Sequence, residues 1–320
     1  CTRRAISHII MTPTAAHRAR IAFRRGVCYT GGMKHTDRNR KNIGNCNWLR
    51  RALPVVLSAL LLCSLTGCSV RDLHIGQVEV NTGIATAWIT PAKGVDKFAI
   101  AAGDFSVRDD GTVTYTGTAY RALQGIDVST FQQEIDWQAV ADSGIDFAFI
   151  RAGYRGYTEG SIQEDAYFEQ NLAGAIDAGL DVGVYFFSQA MDEQEAREEA
   201  RFVLDKISGY QLAYPVFFDW EKIGADARSD AMDLTSLTTV TDTFCSEIEA
   251  AGYQAGLYFN QQLGYEELHL PSLQGYTFWL AEYNDTPSFT YDFDLWQYAS
   301  DGSVDGIDGD VDLNLAFIGK

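Results

Sequence analysis

Asp219 and Glu221 stand one residue apart at the end of the stretch Tyr214-Pro215-Val216-Phe217-Phe218-Asp219-Trp220-Glu221-Lys222. The apolar run Val216-Phe217-Phe218 predicts a strand buried on both faces. Side chains alternate along a strand, so Asp219 and Glu221 point one way and Trp220 the other. Two acids held side by side repel, and one relief is for one of them to keep its proton at neutral pH. A protonated acid beside an ionised one is the pair that glycoside hydrolysis uses. The plainer reading is a solvated pair at a strand end, and D-x-E alone does not separate the two.

The elements needed to position such a pair are legible around it. Leu123 to Val128 predicts a first strand, and 147–151, 182–187 and 255–259 predict further ones. Later apolar stretches at 277–282, 295–298 and 311–313 bring the count to eight. Helices are expected at about 136–143, 165–178, 192–207 and 234–251, with Gly144, Gly179 and Gly252 as stops. Strands and helices alternating in this way imply a parallel α/β sheet. Eight strands point to a TIM-like (β/α) barrel with an irregular, helix-poor second half. An open doubly wound sheet is the alternative, but no Gly-rich phosphate loop follows the first strand.

In a parallel barrel, functional residues sit at the C-terminal strand ends. Polar residues recur there: Asp127, Arg151, Ser188, Asp219, Glu221, Asn260, Glu282, Gln297 and Asp312. Aromatic residues accompany them, including Tyr154, Tyr185, Tyr258, Tyr283, Trp296 and Tyr298, and several at one rim would make a sugar-stacking surface. Phe187 and Trp220 read better as core.

Charge divides the chain. Of 25 basic and 43 acidic residues, 12 basic residues and one acid, Asp37, fall within 1–67, leaving 13 and 42 and a net of −29 for the rest. A body this acidic repels phosphates and is not expected to bind nucleic acid. It suits a neutral sugar polymer or a cationic region of substrate. Residues 33–67 read as a secretory signal: a basic segment after Met33-Lys34, then an apolar run from Ala52 to Leu65. That run is short for a transmembrane helix of about 20 residues. Leu65-Thr66-Gly67-Cys68 resembles the bacterial lipobox, which implies a mature chain starting at a lipidated Cys68, exported and anchored to the cell membrane facing the wall. Residues 1–32 read as an extension upstream of the true start. Residues 69 to about 95 read as a tether, and Asp110-Gly111 between alternating apolar residues predicts a hairpin over 105–115. Residues 68–120 thus form an extension ahead of a catalytic domain over 121–320. Cys245 is expected to be a buried thiol, and no Cys/His cluster has zinc-ligand spacing. His74 and His269 are isolated.

Seven motifs in order, from Gly125-Ile126-Asp127-Val128-Ser129 through Phe149-Ile150-Arg151-Ala152-Gly153, Gly183-Val184-Tyr185-Phe186-Phe187, Phe218-Asp219-Trp220-Glu221 and Trp279-Leu280-Ala281-Glu282-Tyr283 to Trp296-Gln297-Tyr298 and Val311-Asp312-Leu313-Asn314, together resemble the glycoside hydrolase family 25 lysozymes. The resemblance implies a (β/α)-type barrel with a shortened helical complement. It implies an N-acetylmuramidase that cuts the β-1,4 bond between N-acetylmuramic acid and N-acetylglucosamine in peptidoglycan, without metal or other cofactor. By position, Glu221 matches the family's general acid, Asp219 its partner, and Asp127 and Asp312 the other two acids of the groove. Arg151, Tyr185, Tyr258, Glu282, Tyr283, Trp296 and Gln297 are then expected to bind substrate. Phe186 stands where the family often has His, which would remove a polar contact. The acidic loop 301–310 also offers Asp308 and Asp310 as decoys for Asp312. Two other readings stay open: a non-catalytic peptidoglycan-binding lipoprotein, and a glycosidase for another N-acetylated glycan such as chitin.

Overall fold

The structure is a computed structural model that describes residues 74–224 and 227–319. The expected extension 1–32, signal 33–67 and lipidated Cys68 lie outside the described residues. Eight strands close a barrel: β5 (Arg121–Val128), β6 (Phe147–Arg155), β8 (Asp181–Ser188), β9 (Val216–Trp220), β10 (Ala255–Asn260), β11 (Thr277–Ala281), β12 (Leu295–Gly302) and β13 (Val311–Ile318). A short β7 (Ile162–Glu164) extends β6 outside the ring.

Adjacent strands run parallel from β5 round to β12, but β13 is antiparallel to both β12 and β5. This departs from the expected all-parallel barrel. The reason is the connection. Only residues 303–310 separate β12 from β13, too few for the crossover of a dozen or more residues that a parallel return needs. The consequence matters for chemistry: Asp312 opens β13 rather than closing it, yet lies on the same rim as the ends of the other strands, paired in register with Asp127.

Four helices cover the first half of the barrel: α1 (Trp137–Asp142), α2 (Phe168–Asp177), α3 (Glu193–Lys206) and α4 (Leu234–Ala250). Asp136, Asp192 and Asp233 cap α1, α3 and α4 by accepting from the backbone N–H three residues on, which satisfies one of the orphan donors of each first turn. Gly252 ends the α4 segment in the left-handed region at φ 92°. Beyond β10 only α5 (Leu270–Leu273) and a single π-helical turn intervene. Among the described residues, no helix is long and apolar enough to cross a membrane.

The alternation of strand residues builds two cores. Outward residues such as Val216, Phe218 and Trp220 pack under the helices, while Phe147, Phe149, Phe217, Trp279, Leu295 and Ala316 fill the barrel. Glycines make room for the large rings inside. A Cβ on Gly125 would stand 2.2 Å from the Phe147 ring, and one on Gly256 2.5 Å from the Phe217 ring. Large and small residues thus interdigitate to fill the lumen. Behind β6, Arg155 donates to Glu199 of α3 at 2.6 Å, and Ser188 Oγ donates to the same carboxylate. This buried pair ties the helical layer to the barrel with its hydrogen bonds satisfied, the condition under which a buried charge is tolerated.

The predicted hairpin forms as β3 (Phe105–Val107) and β4 (Val113–Tyr115), and packs Phe105 on Trp296 and Phe317. The stretch read as a tether contains a second hairpin, β1 (Val78–Asn81) and β2 (Thr86–Ile89). Its turn carries Asn81 and Gly83, with Asn81 Oδ1 accepting from Gly83 N–H. Asn-x-Gly here is a turn signal, and Val78-Glu79-Val80-Asn81 alternates apolar and polar residues, but Thr86-Ala87-Trp88-Ile89 after the turn does not.

Candidate active site

Strand β9 brings Asp219 to the lumen side and sends Trp220 outward, as alternation requires. Glu221 follows just past the end of the strand. Its backbone is held instead by a side chain: the fully buried Gln189 donates Nε2–H to the Glu221 carbonyl at 2.9 Å. Ser229 Oγ in turn donates to Gln189 Oε1. Asp219 and Glu221 border one cleft of about 200 Å³ together with Asp127 and Asp312. In the eight-strand ring β9 and β13 lie diametrically opposite. Two pairs of acids therefore face each other across the barrel mouth, Asp219 with Glu221 and Asp127 with Asp312.

The floor of the cleft is aromatic. The rings of Phe149 and Phe217 meet Trp279 at 4.7 and 5.1 Å, and Tyr258 meets Trp279 at 4.7 Å. Acids set on such a floor lose hydration, which disfavours their charged forms. Burial is the first cause in every case. It lifts Asp127 to about 6, against the donors Asn314 and Gln297. Burial, aided by Asp127, lifts Glu221 to about 7. Burial, aided by Asp127 and Glu221, lifts Asp312 to about 9. Asp219 is also raised, by burial and then by Glu221 and Asp127, with Arg151 opposing. The simple division expected from sequence, one protonated acid and one ionised, thus becomes a four-membered cluster that cannot ionise fully.

Asp127 is the best-held member. Gln297 Nε2 and Asn314 Nδ2 both donate to its Oδ2 at 2.8 Å. Trp279 Nε1–H donates to Asn314 Oδ1, fixing that amide. Tyr258 and Tyr283 hydroxyls donate to Gln297 Oε1 at 2.8 and 3.0 Å. Gln297 is therefore a hub between the acid and two groove tyrosines. Asn314 and Trp279 were not singled out as site residues from sequence. Their signal was present in the alternation, which turns both into the lumen. Arg151 reaches the cleft from β6 and donates Nε–H to Asp165 at 2.8 Å. Its guanidinium lies over the rings of Phe131 and Tyr154. Tyr185 lines the same cleft.

Other expected site residues are placed elsewhere. Trp296 is fully buried on the outer face of β12, with its Nε1–H donating to the Glu282 carbonyl. It cannot share the lumen with its neighbour Gln297, so it is core and not a substrate contact. The Glu282 carboxylate folds back on its own loop, accepting from Ser288 N–H, Ser288 Oγ, Phe289 N–H and Asn284 Nδ2. It shapes the groove wall rather than offering a free charge. Phe186 faces the helical layer against Phe202, so a polar residue at that position would not border this cleft. Ser188 is engaged by Glu199, and Tyr298 is buried with its hydroxyl directed at Gln124. Phe187, read as core, borders the cleft.

These raised carboxyls make stability depend on pH. An unfolded carboxyl titrates at about 4, whereas Asp312 titrates at about 9 in the fold. Between those values the folded state binds more protons than the unfolded one, so stability falls as pH rises. Asp312→Asn stays neutral and removes this contribution. Thermal melts between pH 5 and 9 should show a shallower loss of Tm in the variant, by several degrees at about 2–4 °C per kcal/mol. Identical slopes would mean that Asp312 holds no such proton.

The sequence profile of the family described as Glycosyl hydrolases family 25 matches residues 126–307. The chain is 30% identical over 203 residues to the uncharacterized protein YegX of Escherichia coli strain K12, covering 60% of this chain and 69% of that protein. It is 27% identical over 223 residues to Lysozyme M1 of Streptomyces globisporus, covering 64% and 71%. Among solved structures it is similar to the modular autolysin LytC of Streptococcus pneumoniae in complex with a synthetic peptidoglycan ligand, with a TM-score of 0.55, 27% identity and 66% of this chain covered. The chain spans about half, 51%, of that autolysin.

Proposed function

Because the chain belongs to glycosyl hydrolase family 25, we propose that it hydrolyses peptidoglycan at the β-1,4 bond between N-acetylmuramic acid and N-acetylglucosamine. The observation that carries this reading is the cluster of Asp127, Asp219, Glu221 and Asp312 around one cleft. Glu221 gives its proton to the glycosidic oxygen, and a carboxyl lifted to about 7 keeps that proton at neutral pH. Asp219, beside it on β9, faces the charge that develops at the anomeric carbon. Asp127 stays fixed by Gln297 and Asn314 and raises the proton affinity of Glu221. Arg151 is the cation that moderates the cluster, since it opposes the rise at Asp219. The similarity to Lysozyme M1 and to the LytC complex supports the same substrate class.

Mass spectrometry of products from purified peptidoglycan tests this reading. Fragments ending in reducing N-acetylmuramic acid are expected. Fragments ending in reducing N-acetylglucosamine would relocate the bond cut. Intact strands would favour a binding protein without catalysis.

The lipobox-like Leu65-Thr66-Gly67-Cys68 supports a second part of the proposal, that the enzyme is exported and held to the cell membrane by lipid on Cys68. Cys68→Ala should then move the protein from the membrane fraction to a soluble or unprocessed form. Unchanged fractionation and processing would reject the anchor.

A further inference from the structure

The turn between β1 and β2 lies outside residues 126–307, yet it walls part of the groove. A second lobe of about 450 Å³ adjoins the carboxyl cleft, and Glu221, Tyr258 and Tyr283 border both. One wall of this lobe is the turn Asn81–Ile84, and the other is the polar rim after β10 and β11. The turn is anchored, since Thr82 is 2% exposed and its N–H and hydroxyl both donate to Ala85 O. A Cβ on Gly83 would meet Gln261 Oε1 in ordinary van der Waals contact, at 3.7 Å.

The lobe's lining has a definite chemical character. It contains no Lys or Arg. Of its carboxylates, Glu282 is engaged by its own loop and Glu221 belongs to the cleft. What remains is a set of half-engaged amides. Asn81 Oδ1 accepts from Gly83 and Asn260 Oδ1 from Leu263, so each keeps an Nδ2 donor. Gln261 Nε2 donates to Ser288 and Asn284 Nδ2 to Glu282, so each keeps an oxygen acceptor. Among the described residues these remaining atoms have no hydrogen-bond partner. Tyr283 is 55% exposed and offers a ring face beside them. Donors and acceptors in equal number match an acetamido group with its neighbouring hydroxyls, and a ring face suits the C–H side of a sugar. An anion would find no cation here, and burying it unpaired is costly. The volume falls in the usual range for small-molecule sites, about 300–1,000 Å³.

We infer that this lobe binds a neutral N-acetylated sugar unit of the glycan strand, and that the Asn81–Ile84 turn is a specificity element added to the family barrel. The inference rests on the proposed glycan hydrolysis for its biological ligand. Its direct test does not require turnover. Asn81→Asp keeps the oxygen that caps Gly83 and removes the Nδ2 donor, so the turn survives. Calorimetry with N-acetylchitohexaose, a neutral all-N-acetyl probe, should show binding to the wild-type protein and at least about fivefold weaker binding to Asn81→Asp. Thr86→Ala, on the same hairpin but outside the lobe, should bind like wild type. Equal affinity of wild type and Asn81→Asp, loss in both variants alike, or no binding to wild type would overturn the inference. Turnover of peptidoglycan oligomers is measured beside it. Binding that depends on Asn81 without cleavage of any oligomer would remove the hydrolase reading and leave the site standing. Cleavage with binding indifferent to Asn81 would do the reverse.

Discussion

Glu221→Gln should lower hydrolysis of purified cell walls by about 10²–10⁴-fold, the usual contribution of general acid–base catalysis. The substitution keeps the side chain's size and removes only the transferable proton. The backbone at position 221 is held by Gln189 through the main-chain carbonyl, so its placement does not depend on the carboxyl. Burial and the nearby Asp127 raise the Glu221 carboxyl to about 7, and this sets the pH behaviour. Below that value the acid is protonated and competent. Above it the proton is lost and the wild-type rate should fall along an alkaline limb. The residual rate of Glu221→Gln should lack that limb. Its thermal stability should be equal to or above that of wild type at pH 8, because a neutral amide replaces a buried charge. Turbidity clearance across pH 5–9, with melting curves on the same samples, checks all three. Near-normal clearance by a folded variant would remove Glu221 from the acid's role.

Alternation carried most of what the sequence could reveal. All eight barrel strands and the four covering helices were legible, because apolar runs and Gly stops mark them locally. The direction of β13 was not, since it depends on the length of the 303–310 connection and on closure with β5. The acids were readable as strand-end polar residues, and the antiparallel β13 preserved this for Asp312 only because its register pairs it with Asp127. Misreadings came where a strand is apolar on both faces. Nothing local says whether Trp296 or Gln297 faces the lumen, although they cannot both do so. Glu282 looked like a groove charge, yet its fate is decided by Ser288 and Phe289, which only the folded loop brings near. Asn314 holds Asp127 across 187 residues of sequence, and Trp279 holds Asn314 across 35, relations that spacing does not encode. The β1–β2 hairpin escaped for a different reason. Val78-Glu79-Val80-Asn81 alternates, but its partner Thr86-Ala87-Trp88-Ile89 does not, and of the eight residues only Val80 is buried, so one short alternating run stood without a matching second strand.

Asp219→Asn should also be severe, with a loss of about 10²–10³-fold, the range for removing one preorganised electrostatic partner of a transition state. Its interest lies in stereochemistry. Asp219 reaches the cleft from β9 and Glu221 from the residue just past its end, so they approach the sugar from one side. A general base for inversion must act on water at the opposite face, with carboxyls about 6.5–9.5 Å apart. The acids on the other side of the barrel mouth are Asp312 and Asp127, on β13 and β5. Asp219 is suited to another role, because its Oδ1 is buried and receives no hydrogen bond from any described residue. A buried carboxylate oxygen left open costs stability, and an N–H of the substrate's acetamido group would satisfy it. Held in that way, the acetamido oxygen can attack the anomeric carbon, and water then opens the intermediate with net retention. Proton NMR of the first-formed product should therefore show the β-anomer, and substrates lacking the N-acetyl group should resist wild type about as strongly as intact substrate resists Asp219→Asn. If the α-anomer forms first, water is activated from the far side of the ring. Asp127→Asn or Asp312→Asn should then abolish turnover while Asp219→Asn merely slows it.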